Sequence, residues 1–252
     1  MGIRNPSSQG THGVPGNSVG KDIAYVCPHH YTTDLAECER DFNRISQMLS
    51  HTPGCGHIEI GVTEWNIDAG SWGLGRAKQA TLDAALMNAR YLHLMMRHSD
   101  KVKIACRSNL ANSYCGAIIE TGISGSGVLH RPSYCVMQLY ARNALPVPLW
   151  LEQFNERLDL FACGSEDRKS VMVFAVNPKP EPAQFTLQFQ DFGSTLSIRT
   201  AESVCDSLNA GQPDVMNHWE SPARVKIIAL AHTPTTLTLP PLSATAVGCA
   251  AN

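Results

Sequence analysis

The sequence predicts an α/β first half built on parallel strands, followed by an all-β second half. Between residues 22 and 145, strand-like runs alternate with helix-like runs, the pattern of parallel strands joined by helical crossovers. From about Pro146 the apolar period falls to two, in short runs separated by Pro, Gly, Asp or Asn. The 252 residues suffice for one large domain or two modest ones. The expected organisation is a flexible segment over 1–21, an α/β unit over 22–145 and an antiparallel β-sandwich over 146–252.

The elements of the first half follow in order. "DIAYVCPHHY" (22–31) reads as a buried strand. Asp34 followed by Glu37 resembles a capping box, and Leu35, Cys38, Phe42, Ile45 and Leu49 then recur on one helical face. That helix should stop before "HTPGCG". "HIEIGVTEW" is the second strand. A long helix from 76 to about 98 is expected, with Ala77, Ala80, Ala84, Met87, Tyr91 and Met95 as its buried stripe. "KVKIACRSN" is the third strand, and a Gly- and Ser-rich loop leads to a helix near "SYCVMQLYARN".

In the second half "RLDLFAC", "SVMVFAVNP", "AQFTLQFQDF", "TLSIRTAESV", "VKIIALA" and "TTLTLPPLSATAV" read as strands. Phe185, Leu187 and Phe189 alternate with Gln184, Thr186 and Gln188, as in a half-buried antiparallel strand. Several such strands point to a sandwich.

Composition narrows the function classes. The net charge is −2 and no long basic run occurs, which argues against nucleic-acid binding. No apolar run has the length of a membrane span, and the N-terminus lacks the apolar core of a signal peptide, leaving secreted and cytoplasmic locations both open. The nine cysteines are scattered with no Cys-x-x-Cys pair, so they read as buried free thiols, with one bridge at most, rather than zinc ligands. No cofactor or metal is implied.

In a barrel of parallel strands, chemistry gathers at the C-terminal strand ends. On the second strand Ile58, Ile60, Val62 and Glu64 should share the inward side, with Glu59 and Thr63 opposite. On the first, Ile23, Tyr25, Cys27 and His29 share a side with Tyr31 beyond; on the third, Val102, Ile104 and Cys106 do. The polar ends of all three, His29 and Tyr31, Glu64, and the loop 107–112, therefore meet at one mouth. Trp72, in the glycine loop after Glu64, offers an indole face on which a sugar ring packs.

Four ordered motifs, "CPHHY", "VTEWNIDAGSWGLGRA", "IACRSNLANSYCGAII" and "RPSYCVMQLYA", together resemble glycoside hydrolase family 51, the α-L-arabinofuranosidases. The resemblance runs from the strand at 22 through the C-terminal sandwich. It implies the last three βα units of a (β/α)8 TIM barrel followed by the family's β-sandwich. It implies Glu64 as nucleophile, His29 and Tyr31 in the sugar site, and Asn109 as the polar amide after the last strand. Cys106 departs from the asparagine expected there. The implied substrates are arabinose-containing poly- or oligosaccharides such as arabinan and arabinoxylan.

The resemblance also exposes a gap. Retaining hydrolysis needs two carboxyl groups about 5 Å apart, and the family's acid/base glutamate, preceded by asparagine, ends the fourth barrel strand. The only Asn-Glu here is Asn155-Glu156, in the sandwich region. Glu59 lies about 16 Å from Glu64 along the strand. Glu120 is the remaining acid near the mouth. Three parallel strands cannot close a barrel, so the sequence is read as part of a larger enzyme, lacking its N-terminal half or relying on an oligomeric partner. The alternatives are a noncatalytic sugar-binding module and a nonfunctional truncated remnant; against the first, residues 150–252 hold only Trp150 and Trp219 rather than an aromatic strip.

Overall fold

A computed structural model describes residues 20–67, 77–113, 118–122, 127–152, 157–190, 192 and 195–251. Most of the expected N-terminal segment, Trp72 with its glycine loop, Cys115 and the Asn155-Glu156 pair lie outside the described residues.

The first half holds a four-stranded parallel sheet. Strands β1 (Tyr25–Val26) and β2 (His29–Tyr31) both pair with β3 (Glu59–Asn66) along one side, and β4 (Val102–Arg107) pairs along the other. The single buried strand expected over 22–31 is thus two pieces broken at Cys27-Pro28. Proline has no N–H for the ladder. These residues are also exposed or half-buried, because neighbours pair with them on one side only. Helix α1 (Leu35–His51) starts where the capping signal predicts, with the Asp34 carboxylate accepting from Glu37 N at 3.0 Å. Its buried residues are Cys38, Phe42, Ile45 and Leu49, the predicted face without Leu35.

Helix α2 (Leu82–Arg97) begins later than expected, because Thr81 caps it and accepts from Ala84 N. Two further N-terminal amides, of Leu82 and Asp83, are bound by the carbonyls of Val215 and Pro213 from the second half. Its burial is broader than one stripe. Tyr91, Leu94 and Met95 join α1 and β3 in one core, while Leu82, Ala85, Leu86 and Ala89 join a second core against the antiparallel sheet. A hairpin not foreseen in the sequence, β5 (Ile119–Thr121) with β6 (Val128–His130), follows β4. Helix α3 (Pro132–Asn143) then packs on the same antiparallel sheet as α2.

The second half contributes β7 (Val147–Leu149), β8 (Asp159–Gly164), β9 (Ser170–Asn177), β10 (Ala183–Thr186), β11 (Leu196–Asp206), β12 (Val225–Ala229), β13 (Thr236–Leu239) and β14 (Ser243–Ala251). Six form one sheet in the order β12-β11-β14-β9-β8-β7, and β10 pairs with β13 over its far face. The predicted strands are recovered, except that β7 was not expected and Pro240-Pro241 divides the last run into β13 and β14. The sheet is covered on both faces: by α2 and α3 on one, by β10 and β13 on the other. This explains why β9 is buried almost end to end rather than alternating.

One buried hydrogen-bonded group joins the halves. His93 of α2 donates from Nδ1 to Asp159 of β8 at 2.8 Å, and its Nε2 accepts from Tyr140 of α3 at 2.5 Å. Arg90 and Arg97 also bond Asp159. Burial pushes the Asp159 carboxyl up, but His93 and the two guanidiniums outweigh it and hold the group at about 2. Burial pushes the His93 imidazole down, keeping it neutral.

Both shifts make the fold acid-labile. Below the ordinary imidazole value of 6.5 the unfolded chain takes up a proton that buried His93 refuses; between 3.8 and about 2 it takes up one that Asp159 refuses. Thermal melts should therefore lose stability stepwise on acidification. Asp159→Asn should cost about 3 kcal/mol at pH 7, the lower end of the range for breaking a buried pair, because both guanidiniums reach solvent. Its melting curve should converge on wild type toward pH 2, and a pH-independent gap would contradict the assignment.

Candidate active site

The site begins with an irregularity in β3. Ile60, Val62 and Trp65 are buried beneath the helices, whereas the consecutive Thr63 and Glu64 are both exposed. Against β4, Val62 faces Ala105 and Trp65 faces Arg107, so two residues of β3 oppose Cys106 alone. This is a β-bulge, and it re-aims a side chain. The expected alternation is therefore corrected: Ile58, Ile60 and Val62 lie on the helix-covered face, and the bulge turns Glu64 onto the opposite, open face together with Thr63. A second register shift inserts Lys103 opposite the Ile60–Gly61 step, so Val102 joins the helix-side core while Ile104 and Cys106 stay exposed. Before and along β1 and at the start of β2, Ile23, Tyr25, Cys27 and His29 are exposed, as are the neighbouring Asp22 and Ala24.

Parallel pairing sets His29 opposite Glu64 and Tyr31 opposite Asn66. His29 Nε2 lies 2.9 Å from Thr63 Oγ1, and its Nδ1 is 3.7 Å from Glu64 Oε2, beyond hydrogen-bond range. Tyr31 Oη lies 2.9 Å from Glu64 Oε2 and 2.7 Å from Ser108 Oγ. A carboxylate only accepts, so the single phenol proton goes to Glu64 and the Ser108 hydroxyl serves the phenol oxygen. His29, Tyr31 and Glu64 thus form one cluster at the C-terminal end of the sheet.

Asn109 stands one side chain away. It follows β4 with a positive φ of 33°, and its amide reaches Ser108 Oγ at 3.4 Å. Asparagine tolerates such a backbone better than most residues. Beneath it, Arg107 is buried and bonds Asn66 Oδ1 at 3.2 Å. Burial lowers its guanidinium to about 10, with Tyr31 acting in the opposite sense, so it carries its charge at neutral pH. In the sequence Thr63 falls on the face opposite Glu64, and Arg107 and Ser108 stand at the mouth only as part of the loop 107–112, without roles of their own. Ser108 could have been singled out, as the first residue past a strand end beside Asn109.

Among the described residues, the two candidates for a second carboxyl, Glu120 and Glu59, are both otherwise placed. Glu120 accepts from Arg131 Nε at 3.0 Å and Nη2 at 2.6 Å, both on Oε1, so acting as a proton donor would weaken a charge-assisted ion pair. Glu59 lies at the opposite end of β3. A cleft of about 640 Å³ adjoins the cluster, lined by His29 to Thr32 and by Glu37, Arg40, Asp41 and Arg44 of α1. Among the described residues no group of His, Cys, Asp and Glu is arranged to hold a metal, and the eight described cysteines are free thiols. No described helix is long and apolar enough to cross a membrane. Trp150 is 93% exposed, and Trp219 packs near Gly127 of the β5–β6 hairpin, so the two form no strip.

Comparison with known proteins gives these features a context. The structure is similar to the alpha-L-arabinofuranosidase of Thermotoga maritima, at 17% identity and a TM-score of 0.74 over 91% of this chain and 53% of that one. It is similar to the GH51 enzyme of Thermotoga petrophila (16%, 0.72, over 90% and 52%). The GH51 arabinofuranosidase of Xanthomonas axonopodis pv. citri is also similar (15%, 0.68, over 92% and 54%). The chain spans about half the length of each, and at these identities the likeness concerns the fold. No curated protein sequence matches it. Residues 63–243, which run from the bulge at Thr63 and Glu64 to the first residue of β14, match the model of the alpha-L-arabinofuranosidase C-terminal domain. The chain belongs to that family.

Proposed function

We propose that this chain is the nucleophile-bearing portion of a retaining α-L-arabinofuranosidase, acting on terminal non-reducing α-L-arabinofuranosyl groups of arabinan or arabinoxylan. The observation that carries the reading is the His29–Tyr31–Glu64 cluster at the C-terminal ends of parallel strands. Glu64 attacks the anomeric carbon and forms a glycosyl ester, the leaving oxygen takes a proton from a second carboxyl group, and water then cleaves the ester. Tyr31 orients the attacking oxygen, and His29 and Asn109 bind sugar hydroxyls, with Trp72 as a stacking wall.

The parallel sheet is on this reading three βα units of a (β/α)8 barrel over 22–145, continued by the sandwich over 146–252. Two features support it. The open face carries Tyr25 and Ile104, each 39% exposed, where a barrel interior would bury them. The outer edges of β1, β2 and β4 have no ladder partner among the described residues. The remaining strands and the acid/base carboxyl come from another segment, in the same longer chain or in a partner.

The test separates the two carboxyl roles. A 2,4-dinitrophenyl α-L-arabinofuranoside needs no protonation to depart, so the chain should accumulate a pentosyl adduct that peptide mass spectrometry maps to Glu64. Glu64→Gln should form none. Tyr31→Phe should slow adduct formation about ten-fold, the worth of one hydrogen bond to a charged group. A sugar with a poor leaving group should not turn over with this chain alone. An adduct elsewhere, or none, overturns the nucleophile assignment; turnover of the poor leaving group overturns the claim of a missing acid.

A further inference from the structure

Between His29 and Tyr31 stands His30, whose side chain points the other way. Its Nε2 lies 3.0 Å from Asp41 Oδ2 of α1, its Nδ1 bonds the Tyr91 hydroxyl of α2, and its ring meets the Phe42 ring edge-on at 5.2 Å. Asp41 is itself held by Arg44 at 2.6 Å. Burial raises the Asp41 carboxyl, but the hydrogen bonds from His30 and Arg44 win and leave it below its ordinary value. The bonds form one consistent set: Nε2–H donates to the Asp41 carboxylate, and Nδ1 accepts from Tyr91, which burial keeps as a neutral phenol.

Strand β2 is three residues long, and among the described residues its ladder partner is β3. The bonds of His29 to Thr63 and of Tyr31 to Glu64 and Ser108 hold the site side of the strand, and those of His30 hold the helix side. The cleft of about 640 Å³ runs beside it on the α1 side, lined by His29, His30, Tyr31 and Thr32 themselves. A short edge strand over a cleft is free to twist about its one ladder unless a side chain pins it. We infer that His30 is a positioning residue, which ties β2 to α1 through Asp41 and to α2 through Tyr91 and so holds Tyr31 on Glu64. The inference rests on the proposed role of that cluster, but its test does not depend on catalysis.

The readout is the coupling between Tyr31 and Glu64, followed by NMR of ring-labelled tyrosine with Tyr31→Phe used for assignment. In the wild-type background, Glu64→Gln should shift the Tyr31 Cζ resonance, since it removes the charge that the phenol bonds. In His30→Phe, which keeps a ring against Phe42 but loses both hydrogen bonds, that shift should be at least halved. Asp41→Asn, which keeps an acceptor, should retain most of it, and Asp41→Leu, which leaves only the Tyr91 bond, should reduce it, though by less than His30→Phe. Asp41 lies on the partly exposed side of α1, so Asp41→Leu serves if His30→Phe does not fold. Full coupling in His30→Phe or Asp41→Leu overturns the inference, as does no response to Glu64→Gln in the wild-type background. Failure of the adduct assay with coupling intact would sink the proposed reaction and leave the positioning role standing.

Discussion

Among the described residues, helix α2 contributes to two of the three hydrophobic cores and so joins the parallel sheet to the antiparallel one. A helix normally buries one stripe, yet α2 is packed between two sheets that share no strand. Its residues two apart do opposite work: Tyr91 faces the parallel sheet and bonds His30, while His93 faces the antiparallel sheet and bonds Asp159. Its first turn is closed by carbonyls from the loop at 213–215. A displacement of α2 relative to the second half would therefore reach the strand that carries His29 and Tyr31. The six-stranded sheet is in this sense the foundation of the site, although no described site residue lies in it.

At the sheet end, the two faces of β3 have incompatible requirements. The helix side needs large apolar side chains, and Ile60, Val62 and Trp65 fill it. The open side must present a carboxylate within reach of Tyr31. Strict alternation places Trp65 and Glu64 on opposite faces, but it also sends Glu64 to the side of Val62. The bulge at Thr63–Glu64 resolves this by shifting phase once, so that Val62 and Trp65 are both covered and Glu64 is open. A functional group set on a bulge next to an active-site rim is a recurrent use of this irregularity.

The bulge also marks the limit of what the sequence could tell. The start of α1 was legible, because a capping aspartate acts locally: Asp34 binds the amide three residues on, and nothing distant enters. Most strands of the second half were legible from their period and from proline and glycine boundaries. The grouping of His29, Tyr31 and Glu64 was legible too, since strand ends converge whatever the phase within each strand. Features that depend on a partner were not. The inserted residue at Lys103 and the bulge at Glu64 are visible only when β3 and β4 are laid side by side. The broad burial of α2 needs knowledge of the second sheet. Ser108 gained a role only when Tyr31 came within 2.7 Å of it from a strand 77 residues earlier.

The proposed chemistry and the open face have a common origin. A retaining site needs two carboxyl groups about 5 Å apart, aimed at each other across the sugar. Glu64 and its neighbours form one wall of such a space, and the described residues of this chain aim no second carboxylate at it. The same face that ends in Glu64 continues downward into Gly61, flanked by the side chains of Tyr25 and Ile104. A segment that covers those apolar groups by pairing with the free strand edges would stand directly across from Glu64. Apolar burial would then hold that segment, while the polar strand ends would determine what it faces. On the proposed reading, completing the core and completing the catalytic pair are one event, so a chain able to dock there without supplying a carboxyl group would stabilise the fold and leave the sugar bond intact.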